Sequence, residues 1–205
     1  MLKYIIGVVL VAIAATGGYY IWEAMKIEQN APQPLTALPP QAMPSTATST
    51  YATSTFTLVH PADFTVNELY TYEGVPNKPI PGIKFIIPGA MATGTNLSAD
   101  TGLSVESLPR AQICTGDIFV LQDVPAIDMT ENGVTYSIAT TSSAAAGNRY
   151  EERVYALKNS SPCTAVRYFI HSTNIGNYAT GTVREFNENA LIRVFDEIRT
   201  SLKLQ

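Results

Sequence analysis

An α+β fold, with an antiparallel sheet closed by a helix, is predicted by three observations. Short runs of alternating hydrophobicity stop at prolines, an Asn-Gly dipeptide separates two of them, and one amphipathic helical stripe stands near the C-terminus. The runs "TFTLVH", "GIKFII" and "GLSVESL" end at Pro61, Pro88 and Pro109, residues that cannot donate to a strand ladder. Asn132-Gly133 lies between "AIDMT" and "VTYSIAT" and supplies the two positive-φ positions of a tight hairpin. Two further strands are predicted over residues 149–157 and 163–171, joined around "KNSSP". From Asn187, a residue suited to an N-cap, "ENALIRVFDEIRTSLKL" repeats apolar residues every three or four positions. Leu191, Phe195, Ile198 and Leu202 are expected against the sheet, with Arg193, Glu197 and Arg199 in solvent.

The stretch "AAAGNRYEERVYALKNSSPCTAVRYFIH" is the most charge-dense part of a charge-poor chain. Opposed residues in an antiparallel hairpin have a constant index sum, and a slip of one residue turns every side chain to the other face. A sum of 320 would oppose Arg153 to Arg167, which like charge disfavours. A sum of 319 opposes Tyr150 to Phe169, Glu152 to Arg167, Val154 to Ala165 and Ala156 to Cys163, around a loop of residues 158–161. The expected register is 319, with Glu152 and Arg167 the central contact and Arg149, Glu151 and Arg153 on the opposite face. Arg149, Glu152, Arg167 and His171 form the candidate charge cluster, read as fixing strand pairing or as a binding site.

Three segments are expected. Residues 1–26 are an N-terminal transmembrane anchor or a signal peptide, because residues 5–22 carry no charge and, as a helix, would span roughly 27 Å, near the thickness of a bilayer core. Tyr19, Tyr20 and Trp22 stand at the far end of that run, where amphipathic rings favour the interface. Ala12 and Ala14 fit the small-residue pattern of cleavage before Ala15, the competing reading. Either reading exports the rest of the chain, with the anchor placing it at the cell membrane as a single-pass protein and cleavage secreting it. Residues 27–54, rich in Pro, Ala, Ser and Thr without periodicity, read as a disordered linker. Residues 55–205 are the extracytoplasmic α+β domain. Its two cysteines, Cys114 and Cys163, are expected to pair, as exported cysteines usually do.

"HPADFTV" at the start of the domain and "IRTSLKL" at its end resemble the PsbP-like fold, with Phe64 where that fold typically has Trp. PsbP is an extrinsic subunit of the photosynthetic oxygen-evolving complex. The resemblance implies an α/β/α sandwich and a role as a binding or assembly factor, and it carries no catalytic set. "GIKFIIPGAMATGTNLSADTGLSVESLP", "AAAGNRYEERVYAL" and "SPCTAVRYFIH" are also similar to an uncharacterised family of bacterial exported proteins, which implies an envelope location.

Chemistry is sparse. The net charge of −4 excludes the basic surface that nucleic acid requires. There is no G-x-S-x-G elbow, and the only histidines are His60 and His171. A zinc site needs three or four converging ligands, so no metal, cofactor or catalytic residue is assigned. His171 reads as a hydrogen-bonded structural histidine, and Glu106, with the scattered aspartates, as solvated surface. The expected function is a non-catalytic, membrane-anchored binding or assembly domain of the bacterial envelope, with a protein, peptide or glycan partner. The rival readings are a cryptic envelope hydrolase and an inhibitor of a hydrolase such as lysozyme.

Overall fold

The alternating runs pair as antiparallel strands in a computed structural model that describes residue 22, residues 38–121 and residues 123–205. Apart from Trp22, the apolar run at 5–22 lies outside the described residues, as does the linker up to residue 37. No helix among the described residues is long and apolar enough to cross a membrane.

Residues 38–205 form one unit. Its large sheet runs in the order β3 (Thr65–Tyr72), β4 (Ile80–Ile86), β5 (Gly102–Leu108), β9 (Cys163–Thr173), β8 (Asn148–Leu157), β7 (Val134–Ala145) and β6 (Ile127–Glu131). A small sheet has β2 (Phe56–Pro61) between β1 (Thr48–Ala52) and β10 (Lys203–Leu204). The helices are α1 (Gly89–Ala92) and α2 (Glu188–Ser201). Asn132 and Gly133 take positive φ in the β6–β7 turn, as that dipeptide predicts. Asn187 caps α2, its Oδ1 accepting from the Ala190 amide at 3.0 Å.

The first half of the expected linker is undescribed, but its second half is not disordered. Thr48 to Ala52 pair in register with Pro61 to Thr57, so β1 is an integral strand. Upstream, Gln41 donates to the Met91 carbonyl at 3.1 Å and accepts from the Asn187 amide at 2.8 Å, while Asp63 accepts from the Ser45 amide. Composition argued for disorder because this segment has little apolar area to bury. Backbone pairing with β2 supplies the order that burial does not.

One face of the large sheet carries Phe85, Leu103, Val166, Tyr168 and Ile170 under α2 and the small sheet. Leu191, Val194, Phe195 and Ile198 enter this core as the helical spacing predicts, while Leu202 is only half-buried. Arg199 departs from its expected exposure and is 2% accessible. Its guanidinium lies over the rings of Tyr136 and Tyr155, at 4.8 and 4.5 Å, and bonds Tyr168, Glu131 and Asp196. A helical period assigns it to the polar side, but a long side chain in the last turn reaches back over the sheet.

The second face is covered by a strap, residues 109–121 and 123–126, and among the described residues no second layer of α-helices is found there. Ala139, Ala156 and Ala165, each fully buried, leave a shallow bed on which Phe119 rests, together with Val120 and Val154. Gly116 lets the strap approach, since a Cβ there would stand 2.6 Å from the Ala139 nitrogen. Cys114 and Cys163 are disulfide-bonded, with Cα atoms 5.1 Å apart, and tie the strap to the start of β9.

Candidate functional site

The β8–β9 hairpin pairs with an index sum of 321 rather than 319. Tyr150 faces His171, Glu152 faces Phe169, Val154 faces Arg167 and Ala156 faces Ala165. The connection is accordingly one residue longer than expected, running from residue 158 to Pro162. A shift of two preserves every facing, so Glu152 and Arg167 still share a face and their ion pair forms along the diagonal. Direct opposition was the wrong criterion. The offset sets Arg167 between two carboxylates on different strands, Glu152 one pair above on β8 and Glu106 one pair below on β5.

Glu106 is the partner that the sequence reading placed on the surface, and it is fully buried. Its two oxygens accept from Arg167 Nε at 2.8 Å and Nη2 at 2.9 Å, and Ser104 Oγ donates to Oε1 at 2.7 Å. Nη2 also donates to the Phe119 carbonyl of the strap at 2.7 Å, and Nη1 donates to Glu152. The Tyr72 ring stacks 3.5 Å from the guanidinium carbon, and its hydroxyl donates to Glu152 at 2.9 Å. Burial alone would lower the Arg167 pKa, but the attraction of Glu106 and Glu152 outweighs it, so the guanidinium is held charged. Gly82 faces Glu106 across the β4–β5 ladder, where a Cβ would stand 3.0 Å from Glu106 Cγ and 2.7 Å from the Val105 carbonyl.

Beyond this triad the strap ends, and the same face carries Tyr70, Lys84, Tyr150, Phe169 and His171, all half-buried against one another. Tyr150 stacks on His171 with ring centroids 4.4 Å apart, and Lys84 Nζ stands 4.7 Å from the centre of Phe169. Burial lowers the Lys84 pKa, with Asp100 and Glu106 opposing it, and burial raises that of Tyr70. His171 Nδ1 lies 2.8 Å from Asp100 Oδ1, the hydrogen-bonded state expected of it, and its buried Nε2 has no partner among the described residues. A hydrolytic dyad would need a nucleophile at that nitrogen.

Of the four candidate residues, Glu152, Arg167 and His171 therefore share a face. Arg149 projects from the other, largely exposed and 3.6 Å from Glu151. There it joins Glu151, Glu185 and Glu188 around a cleft of about 640 Å3, and Arg153 bridges Glu151 and Glu188 at 2.6 and 2.7 Å. His60 is buried against Phe85, with Nδ1 2.8 Å from the Pro61 carbonyl, and among the described residues no group of His, Cys, Asp and Glu is arranged to hold a metal. The aromatic face could not be read in advance, because Tyr70 and Lys84 come from strands that meet β8 and β9 only through the sheet order.

No known family and no curated protein matches the chain. Among solved structures, the chain is similar to the cyanobacterial PsbP (CyanoP) of Synechocystis sp. PCC 6803, at 12% identity and a TM-score of 0.42, covering 84% of this chain and all of that one. It is also similar to a protein of Bacteroides thetaiotaomicron VPI-5482, at 10% identity and a TM-score of 0.40, covering 73% of this chain and 45% of that one. The chain thus spans less than half the length of the Bacteroides protein. Neither likeness carries an activity, a partner or the role of any residue to this chain.

Proposed function

We propose that the chain is a non-catalytic, membrane-anchored, extracytoplasmic binding or assembly domain of the bacterial envelope, with a PsbP-like fold. The observation that carries this reading is the uncovered half of the large sheet. Tyr70, Tyr150, Phe169 and His171 gather there beside Lys84, Asp100 and Glu152, a mixture of rings and charges of the kind that anchors recognition. The Cys114–Cys163 bond is compatible with an oxidising compartment. The fold reading rests on "HPADFTV", the antiparallel sheet and the closing helix.

A photo-cross-linking residue in place of Tyr150, in full-length chain in native envelopes, is expected to give one discrete adduct that Lys84→Glu abolishes. The same residue in place of Arg193, on the exposed side of α2, should give none. Equal labelling at both positions would defeat the proposal. The cleft beside Arg149 favours the rival hydrolase, since it gathers three glutamates, although Arg153 neutralises two of them. Release of soluble products from envelope glycan or peptide, lost on Glu151→Gln or Glu188→Gln, would establish that rival instead.

A further inference from the structure

On the far side of the strap, away from the aromatic face, an apolar groove of about 660 Å3 opens between the β3–β4 connection and the first residues after β5. Pro79, Pro81 and Pro109 line it with Leu108, Ala111 and Ile118, and the last three also pack against the strap's small core. Ile113 stands 70% exposed at its margin, next to the disulfide-bonded Cys114. The volume lies within the range of small-molecule sites, and the disulfide holds one wall in place before any ligand arrives.

The charge of the lining is one-sided. The chain has 17 acidic and 13 basic side chains, yet among the described residues the groove is lined by Lys78 and Arg110 and by no carboxylate. Lys78 Nζ donates to the Ile118 carbonyl at 2.6 Å, which leaves two of its three protons to offer. Arg110 is exposed and makes no hydrogen bond or ion pair among the described residues. An occupant that matches this lining is apolar over most of its surface and carries an anionic head.

A peptide fits this lining poorly. Its backbone amides need partners from a free strand edge or from an aromatic-lined groove. The three prolines offer no N–H, β5 has β4 and β9 on its two sides, and among the described residues the lining contains no aromatic ring. An acyl chain makes no such demand. We propose that the groove binds a single-chain anionic amphiphile, its acyl chain against the prolines and aliphatic side chains and its carboxylate or phosphate head at Arg110 and Lys78. The proposal does not depend on the role of the aromatic face.

The test uses full-length chain in phosphatidylcholine vesicles, with a palmitate analogue that carries a photoreactive diazirine on its chain. Mapping of adducts by mass spectrometry is expected to place them at residues 78–81 and 107–118. Unlabelled palmitate or hexadecyl phosphate should compete at concentrations about ten-fold below neutral monopalmitin, and the better of the two identifies the head group. Arg110→Glu should lower labelling about ten-fold while the trypsin resistance of residues 38–205 is unchanged, and Ile113→Asp should do the same from the apolar side. Adducts scattered over the surface, equal competition by monopalmitin, or full labelling of folded Arg110→Glu would each overturn the proposal.

Discussion

Removing Glu106 should damage the domain more than removing Glu152, although both carboxylates meet the same guanidinium. Glu106 and Arg167 are fully buried and joined by two charge-assisted bonds of 2.8 and 2.9 Å, and Ser104 adds a third bond to Glu106. Glu106→Gln leaves Arg167 charged in a dry site with only Glu152 and a carbonyl to balance it. Breaking a buried pair from one side costs about 3–5 kcal/mol. Glu152 is 14% exposed, and its loss leaves the two-bond contact with Glu106 intact. Glu152→Gln should then cost about 1.5–3 kcal/mol, the range for one hydrogen bond to a charged group. Urea unfolding of oxidised residues 38–205, followed by circular dichroism at neutral pH, measures both. A Glu152→Gln loss equal to or above that of Glu106→Gln would refute the assignment of Glu106 as the principal partner. Arg167→Met with Glu106→Leu should lose less than either single change at these two positions, because no fully buried charge is left unpaired and Glu152, partly exposed, keeps its bond from Tyr72.

Phe195 is fully buried among Tyr168 and the residues of α2, so Phe195→Ala should cost about 3–5 kcal/mol in the same assay, and a loss under about 1 kcal/mol would mean that the helix packs differently. The disulfide closes a separation of 49 residues, so Cys114→Ala with Cys163→Ala should remove about 4 kcal/mol, and unreduced protein should give no reactive thiol on labelling. Burial, with Asp196 adding to it and Arg199 opposing, holds the Tyr168 hydroxyl above the ordinary tyrosine range. Its contribution is therefore whole below about pH 10 and lost as pH rises through that range toward the folded value, so the urea midpoint should fall between about pH 9 and about pH 11, and less steeply in Tyr168→Phe. Gly82→Ala should destabilise the domain through the close approach of the Val105 carbonyl and Glu106, and no change in the urea midpoint would show that the β4–β5 ladder can yield there.

The elements legible in advance were those whose period matches a single environment. β5, β8, β9 and α2 each set apolar residues against the core under α2 at their own period, and that alternation or helical spacing is written in the chain. β3 escaped because a bulge between Asn67 and Tyr70 breaks its period and leaves Leu69 94% exposed. β1 escaped because most of it is exposed and only its backbone is used. Glu152 and Arg167 could be paired because hairpin neighbours constrain each other. Glu106 lies 61 positions from Arg167 and meets it only through the β5–β9 pairing. A signal was nevertheless present. An arginine flanked by Val166 and Tyr168 in a central strand must find buried acids, and Glu106 was the acid that alternated with apolar residues in another strand.

The position of the triad bears on why it is charged at all. A buried ion pair is often no more stable than apolar side chains of similar volume, so stability alone does not account for Arg167. Its guanidinium stands where the sheet face changes character. On one side, alanines receive Phe119 of the strap, and on the other the aromatic rings begin. Four of its donors are used, and each is directional: two to β5, one to β8 and one to the strap carbonyl. An apolar residue could fill the same space without fixing where the strap must stop, since apolar contacts tolerate sliding. The Phe119 bond sets that limit, and the Tyr72 ring, stacked on the guanidinium and bonded to Glu152, extends the arrangement toward Tyr70 on the open half. The charges thus form a boundary, with a packed core on one side and the half-buried aromatic rings on the other.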